Sequence, residues 1–386
     1  VNHHDDGDFI GLSSVRRRAK YRLPASQASR SNFTYLLAAL ALAVFIGWLW
    51  WNSARARKAG NAKSDTTTQP ALNKPSATNA LRQPAAPPLS TKPVADLASP
   101  WPRPVRDAIE AQVALLQHGI SAGSLDGAIG PQTRAALAAF QAAANLPVTG
   151  DLDAATKSRL LLAAPPYTTY VVTTNDLARL QPISPSWLGK SQQTALDFET
   201  ILELVAEKTF ANPNLIRRLN PAVNWTNVPP GATLQVPAAA YPSPPARAAF
   251  VKIHLGGKTL EAFDAATNLL LHFPCSIARL VEKRPVGELH VANIAPNPNY
   301  SFDPAVFPES PEAHQLTHKL ILPPGPNNPV GVAWIGLDVP GYGIHGTPNP
   351  EQVGRTESHG CFRLANWNAE YLLRLVTVGT PVYVVE

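Results

Sequence analysis

Methionine is absent from this 386-residue chain, and cysteine occurs only twice, as Cys275 and Cys361. Two cysteines allow at most one bridge, and in an exported protein the default expectation is that they pair. His345, His359 and Cys361 could supply three ligands to zinc. No further cysteine or acidic residue stands at a spacing that completes such a site, so no metal and no cofactor are expected. Acidic residues are outnumbered, 27 against 33 Lys and Arg, which gives a net charge of +6. A basic balance suits a polyanionic neighbour. The interleaved aromatic and basic pattern of a nucleic-acid surface is missing, however, and no nucleic-acid partner is expected.

Much of the positive charge flanks one apolar stretch. Residues 33–51, FTYLLAALALAVFIGWLWW, carry no charge. They have the length of a helix that crosses a hydrocarbon core of about 30 Å. Trp48, Trp50 and Trp51 suit one interface, and the basic segment 1–32 suits the cytoplasmic side. The expectation is a single-pass inner-membrane anchor with everything beyond it exported. Secretion after cleavage near Ala54-Arg55-Ala56 is the alternative. Residues 52–104 are rich in Pro, Ala, Ser and Thr and have no apolar periodicity, so they read as an extended, disordered tether.

A length of 386 residues predicts two or three folded units beside such linkers. Between 105 and 163, Val105, Ile109, Val113 and Leu116 recur at helical spacing. Gly130-Pro131 marks the start of a second helix, and Asp153 caps a third. The turns LDGAIGPQT and LPVTGDLDAAT repeat one another in outline. Asp126, Gly127, Gly130, Thr133, Ala136, Phe140 and Gln141 meet the pattern D-G-x-x-G-x-x-T-x-x-A-x-x-x-F-Q. By that pattern this three-helix domain resembles the type 1 peptidoglycan-binding module, which implies glycan or stem peptide as its ligand. Residues 168–237 predict strand, helix, helix, strand. Asn220-Pro221, Gly231 and Leu234-Gln235-Val236-Pro237 give this α+β segment a resemblance to a LysM-type wall-binding module. The usual G-D-T-L signature is absent, and 173–196 reads as an insertion.

After the prolines of YPSPPAR the pattern turns to alternation, in FVKIHL, KTLEAF, NLLLHFPCSI, GELHVANI and TPVYVVE. Residues 248–386 therefore predict a mostly β domain with one late helix begun by an Asn366 cap. Within it, ESHGCFRL places His359, Cys361 and Arg363 on one side of an extended stretch and Ser358 and Gly360 on the other. A thiol beside an imidazole, with glycine admitting close approach, is the pattern of an activated cysteine nucleophile. On this local geometry His359 is the base.

The motifs IHGT and SHGCFRL, with KRPVGELHV and PNNPVGVAWIGL before them, resemble the L,D-transpeptidase catalytic domain throughout 248–386. That resemblance implies a multidomain bacterial enzyme of the periplasm. It forms 3→3 peptidoglycan cross-links, or attaches a protein amine to the stem peptide, through a cysteinyl thioester. It also implies Cys361 as nucleophile and His345 as principal acid/base, with His359 assisting. Ser358, Gly360 and Gly346 then shape the site, and Arg363 braces the loop or meets a substrate carboxylate. Its partners are stem peptides, glycan and the membrane. The alternatives are an L,D-carboxypeptidase, in which water resolves the thioester, and a catalytically inactive wall-binding scaffold. Cys275 is expected to be a small core residue.

Overall fold

The computed structural model describes residues 101–307, 310–355, 358 and 360–386. The basic segment 1–32, the apolar stretch 33–51 and most of the tether lie outside the described residues. Among those described, no helix is long and apolar enough to cross a membrane. The last residues of the stretch read as tether take part in a sheet: β1 (Arg103–Pro104) pairs antiparallel with β2 (Leu161–Leu162). Arg103 is drawn in by its two-pronged ion pair with the buried Glu110.

Three helices follow as expected: α1 (Ala108–Leu116), α2 (Pro131–Ala143) and α3 (Ala154–Arg159). Gly130 is the N-cap of α2 with Pro131 behind it, and Asp153 accepts from Thr156 N–H at the start of α3. The repeated turns have one physical cause, a buried glutamine that stitches each. Gln112 Oε1 accepts from the N–H groups of Asp126 and Gly127, while its Nε2 donates to Thr133 Oγ1. Gln141 does the same one repeat later: Oε1 accepts from Thr149 and Gly150 N–H, and Nε2 donates to Thr156 Oγ1. Gly127 and Gly150 sit at φ of +77° and +70°, where a side chain would be strained. Gln141→Ala would strand two inward-facing N–H groups. The expected cost is about 2–4 kcal/mol of stability, read by urea unfolding of the whole chain.

The next module pairs β3 (Tyr167–Val171) antiparallel with β4 (Thr233–Pro237) and places α6 (Ile201–Lys208) and α7 (Pro213–Leu219) between them. The inserted stretch carries two short helices of its own, α4 (Thr174–Ala178) and α5 (Trp187–Ser191). Asn220 explains its place in the motif. Its amide accepts from Gln235 N–H and donates to the carbonyls of Ile216 and Gln235, locking α7 to β4.

The β domain is built on one eight-stranded sheet, in the order β13-β12-β11-β8-β14-β5-β6-β7. Its strands are β5 (Phe250–His254), β6 (Thr259–Phe263), β7 (Leu269–Pro274), β8 (Gly287–Pro296), β11 (Ala333–Leu337), β12 (Gly343–His345), β13 (Phe362–Arg363) and β14 (Pro381–Val385). The alternating segments fall on β5, β6, β7, β8 and β14 as expected. Chain leaving β7 pairs with β13 at Ser276↔Arg363, so the two ends of the sheet curl to meet. Helix α8 (Asn366–Leu375) packs on β11, β12 and β8 and closes one face of the core. A separate ribbon, β9 (Tyr300–Phe302) with β10 (Leu320–Leu322), rises between β8 and β11. The helical module is bound to the edge of the sheet by main-chain bonds: Ser121 N–H donates to His272 O and His272 N–H to Gly119 O.

Candidate active site

Strands β12 and β13 run parallel with Ile344 opposite Phe362 and His345 opposite Arg363. Side chains opposite one another share a face, and alternate residues along a strand do too. Ile344, Phe362 and Leu364 therefore point into the core, as their burial shows, while His345, Cys361 and Arg363 share the other face. One step back in the same register, Gly343 donates its N–H to the Cys361 sulfur, and the thiol in turn donates to Gly341 O at 3.5 Å. Cys361 is half-buried. Ser358, buried, shapes the turn behind it: its hydroxyl donates to Cys361 O at 2.5 Å and accepts from Gly360 N–H.

His345 is buried and stacked against Trp334, its partner on β11, with ring centroids 5.7 Å apart. The Trp334 ring also lies across Gly343, where an added Cβ would come within 2.6 Å of it, so no larger residue fits there. Nδ1 of His345 is 2.6 Å from Gly346 O. A carbonyl only accepts, so Nδ1 carries the proton and Nε2 carries the lone pair. Burial holds this imidazole down at about 4, with the Arg363 charge acting in the same direction and the Gly346 bond opposing. Burial raises the Cys361 thiol, against the lowering pull of the Gly343 N–H and the Arg363 charge. The resting site thus favours a neutral thiol and a neutral imidazole. Desolvation penalises both ions. Such a pair suits concerted base catalysis, in which the proton leaves sulfur as sulfur attacks.

Comparison with known proteins bears on this face. Residues 249–384 match the family described as the L,D-transpeptidase catalytic domain, and residues 106–160 match a putative peptidoglycan binding domain. Residues 249–384 are an L,D-transpeptidase catalytic domain. The chain is 27% identical over 182 residues to the putative L,D-transpeptidase YkuD of Bacillus licheniformis, covering 47% of this chain and 91% of that protein. It is 36% identical over 107 residues to the putative L,D-transpeptidase YqjB of Bacillus subtilis, covering 26% of this chain and 52% of that protein. A solved L,D-transpeptidase from Xylanimonas cellulosilytica shares 15% identity, with a TM-score of 0.32, over 74% of this chain and 99% of that one.

The transpeptidase domain thus brings Cys361, His345, Arg363, Ser358 and Gly360 to one corner of the sheet. His359 lies outside the described residues. Gly346 is packed tightly, since a Cβ there would meet Asn366 Oδ1 at 2.2 Å. Asn366 itself overturns an expectation: the N-cap of α8 is Ala365, and the Asn366 amide turns inward. Its Oδ1 accepts from Thr347 N–H at 3.0 Å and Val332 N–H at 3.3 Å, and its Nδ2 donates to Pro326 O. It pins the loop whose Gly346 carbonyl fixes the His345 tautomer. Asn366 and Trp334 are site-forming residues that sequence patterns missed. Trp334 stood within a quoted motif, and only its register against His345 reveals its use.

Arg363 is half-buried beside a cavity of ≈330 Å³ bounded also by Ser276, Thr347 and Asn349. Its guanidinium has no carboxylate partner among the described residues, and burial lowers it from its usual range. The two cysteines do not pair: both are free, with Cys275 wholly buried in the sheet core and its thiol pushed far up by that burial.

Proposed function

We propose that the chain is an L,D-transpeptidase of peptidoglycan in which Cys361 is the nucleophile and His345 the general base. The observation that carries this is the shared face of the two side chains, with the lone pair of His345 at Nε2 and the Cys361 sulfur held by the Gly343 N–H. As Cys361 attacks the carbonyl before a terminal D-residue of a tetrapeptide stem, Nε2 takes the thiol proton and an S–C bond forms. The C–N bond then breaks, and the same proton passes from Nε2 to the departing amine, leaving a thioester. A stem amine attacks that thioester, its proton goes to Nε2, and the thiolate leaves and regains the proton. His359 assists, and Arg363 receives a substrate carboxylate, which offsets the cost of burying a cation that has no carboxylate partner among the described residues. The helical module and the LysM-like module hold the domain on the wall polymer, and the segment 33–51 anchors it to the membrane.

The test is product analysis. Purified protein incubated with tetrapeptide muropeptides should yield cross-linked dimers by mass spectrometry. Tripeptides without dimers would make it a carboxypeptidase. Neither product, with no carbapenem adduct on Cys361 of folded protein, would make it a scaffold.

A further inference from the structure

Gln112 and Gln141 stitch the turns of the helical module, but a third glutamine is turned to the neighbouring domain. Gln132, the second residue of α2, donates from Nε2 to the carbonyl of Val353 in the transpeptidase domain. Its amide is gripped between two glycines, one from each domain. An added Cβ on Gly123 would stand 2.7 Å from Gln132 Oε1, and one on Gly354 would stand 2.7 Å from Nε2. Both glycines also hold φ in the left-handed region, at +86° and +73°, so neither position admits a side chain without strain. The footing of Gln132 is fixed as well, because residues 119–121 of its module carry the main-chain bonds to β7.

Val353 follows the short helical turn Pro350–Gln352. With Thr347, Asn349 and Gln352 it borders the cavity of ≈330 Å³ that Arg363 and Ser276 complete. Ser276 ties the two sides of that cavity together. Its hydroxyl accepts from Gly354 N–H at 2.8 Å, and its main chain exchanges two bonds with Arg363, at 2.9 and 3.0 Å. Val353 O and Gly354 N–H belong to one peptide group, so that group is held at both ends. Gln132 of the helical module takes the oxygen, and Ser276 of the sheet takes the N–H. Hydroxyl, amide and guanidinium groups around the space suit it to a carboxylate.

We propose that the Arg363 cavity is a carboxylate subsite for the donor stem assembled by two domains, and that Gln132 of the peptidoglycan-binding module is the positioning residue that fixes its Val353–Gly354 wall. Holding that peptide group keeps the cavity in the shape that seats a carboxylate against Arg363 before the substrate arrives. The helical module thereby does more than keep the enzyme on the polymer: it sets which stems bind. This deepens the proposed function and rests on it for the donor, and the two ideas fail separately in the following experiment.

The full chain is given two soluble tetrapeptide donors that differ only in their internal carboxylates, free in one and amidated in the other, and their consumption is followed by mass spectrometry. The wild type is expected to show a KM about tenfold lower for the free acid. Gln132→Ala should raise that KM about five- to tenfold and leave kcat within about twofold, because a group that shapes a binding cavity serves substrate and transition state alike. With the amidated donor the same substitution should leave KM within about twofold. Gln132→Glu keeps the length but offers no donor once ionised; it should behave like Gln132→Ala, and it carries the test should that variant not fold. Gln132→Lys retains a donor and should restore most of the preference. A merely structural role would lower kcat and thermal stability together and treat the two donors alike. An unchanged KM for the free acid in folded Gln132→Ala and Gln132→Glu, or equal losses with both donors, would overturn the proposal. Consumption of neither donor by the wild type would count against the proposed function. Calorimetric binding of the free-acid peptide then decides the subsite: weaker binding by Gln132→Ala supports it, and equal binding or none overturns it.

Discussion

Cys361→Ala is expected to reduce kcat/KM by a factor on the order of 10⁴ to 10⁶, the scale seen when a covalent nucleophile is removed. The second thiol cannot replace it: Cys275 is wholly buried in the sheet core, and its ionisation is suppressed by that burial. Intact-mass spectra of the variant should show no carbapenem adduct, while the wild type gains one that maps to the peptide containing Cys361. An adduct on the variant, or residual turnover within tenfold of wild type, would end the case for this thiol. Because Cys361 is half-buried at the end of a curled sheet, the substitution should leave thermal unfolding nearly unchanged, which separates lost chemistry from lost fold.

His345→Gln should cost about 10²- to 10⁴-fold in the acylation rate, the range for loss of a positioned base. The pH dependence carries more information than the loss. A base must be unprotonated to accept, and burial holds His345 down at about 4. Acylation should therefore be flat from about pH 5.5 to 8 and fall only in more acidic solution, as the imidazole becomes charged and stops accepting. An acid limb centred near 6.5, the ordinary histidine value, would mean that the working base is another, less desolvated group. Stopped-flow acylation across pH, on wild type and variant, reads both effects.

Much of this molecule is legible in its sequence, and the reasons are local. Gly130-Pro131, Asp153 and the apolar spacing fix where the helices of the first module start, because capping and helix entry are decided within a few residues. Strong alternation identifies β5, β6, β7, β8 and β14. The short strands β9, β10, β12 and β13 leave no such trace, since two or three residues give no period to recognise. Two of them, β12 and β13, are also the strands that build the site. That Cys361 and Arg363 share a face was readable from spacing two apart, but the placement of His345 beside them depends on a parallel pairing between segments about one helix-length apart in sequence. Asn366 shows the opposite failure. An asparagine at a helix start reads as a cap, yet tertiary demand took its amide for the Thr347 and Val332 N–H groups and left the cap to Ala365. The depressed imidazole was hidden for the same reason, as desolvation is a property of packing.

The main-chain bonds between residues 119–121 and β7 also decide what can be cut away. Within the whole chain, Gly119 and Ser121 occupy the His272 N–H and carbonyl that β7 turns outward. A catalytic fragment beginning at residue 248 would expose those groups as a bare strand margin, ready to template pairing with a second molecule. The helical module is in this sense a cover against self-association, and its removal trades solubility for size.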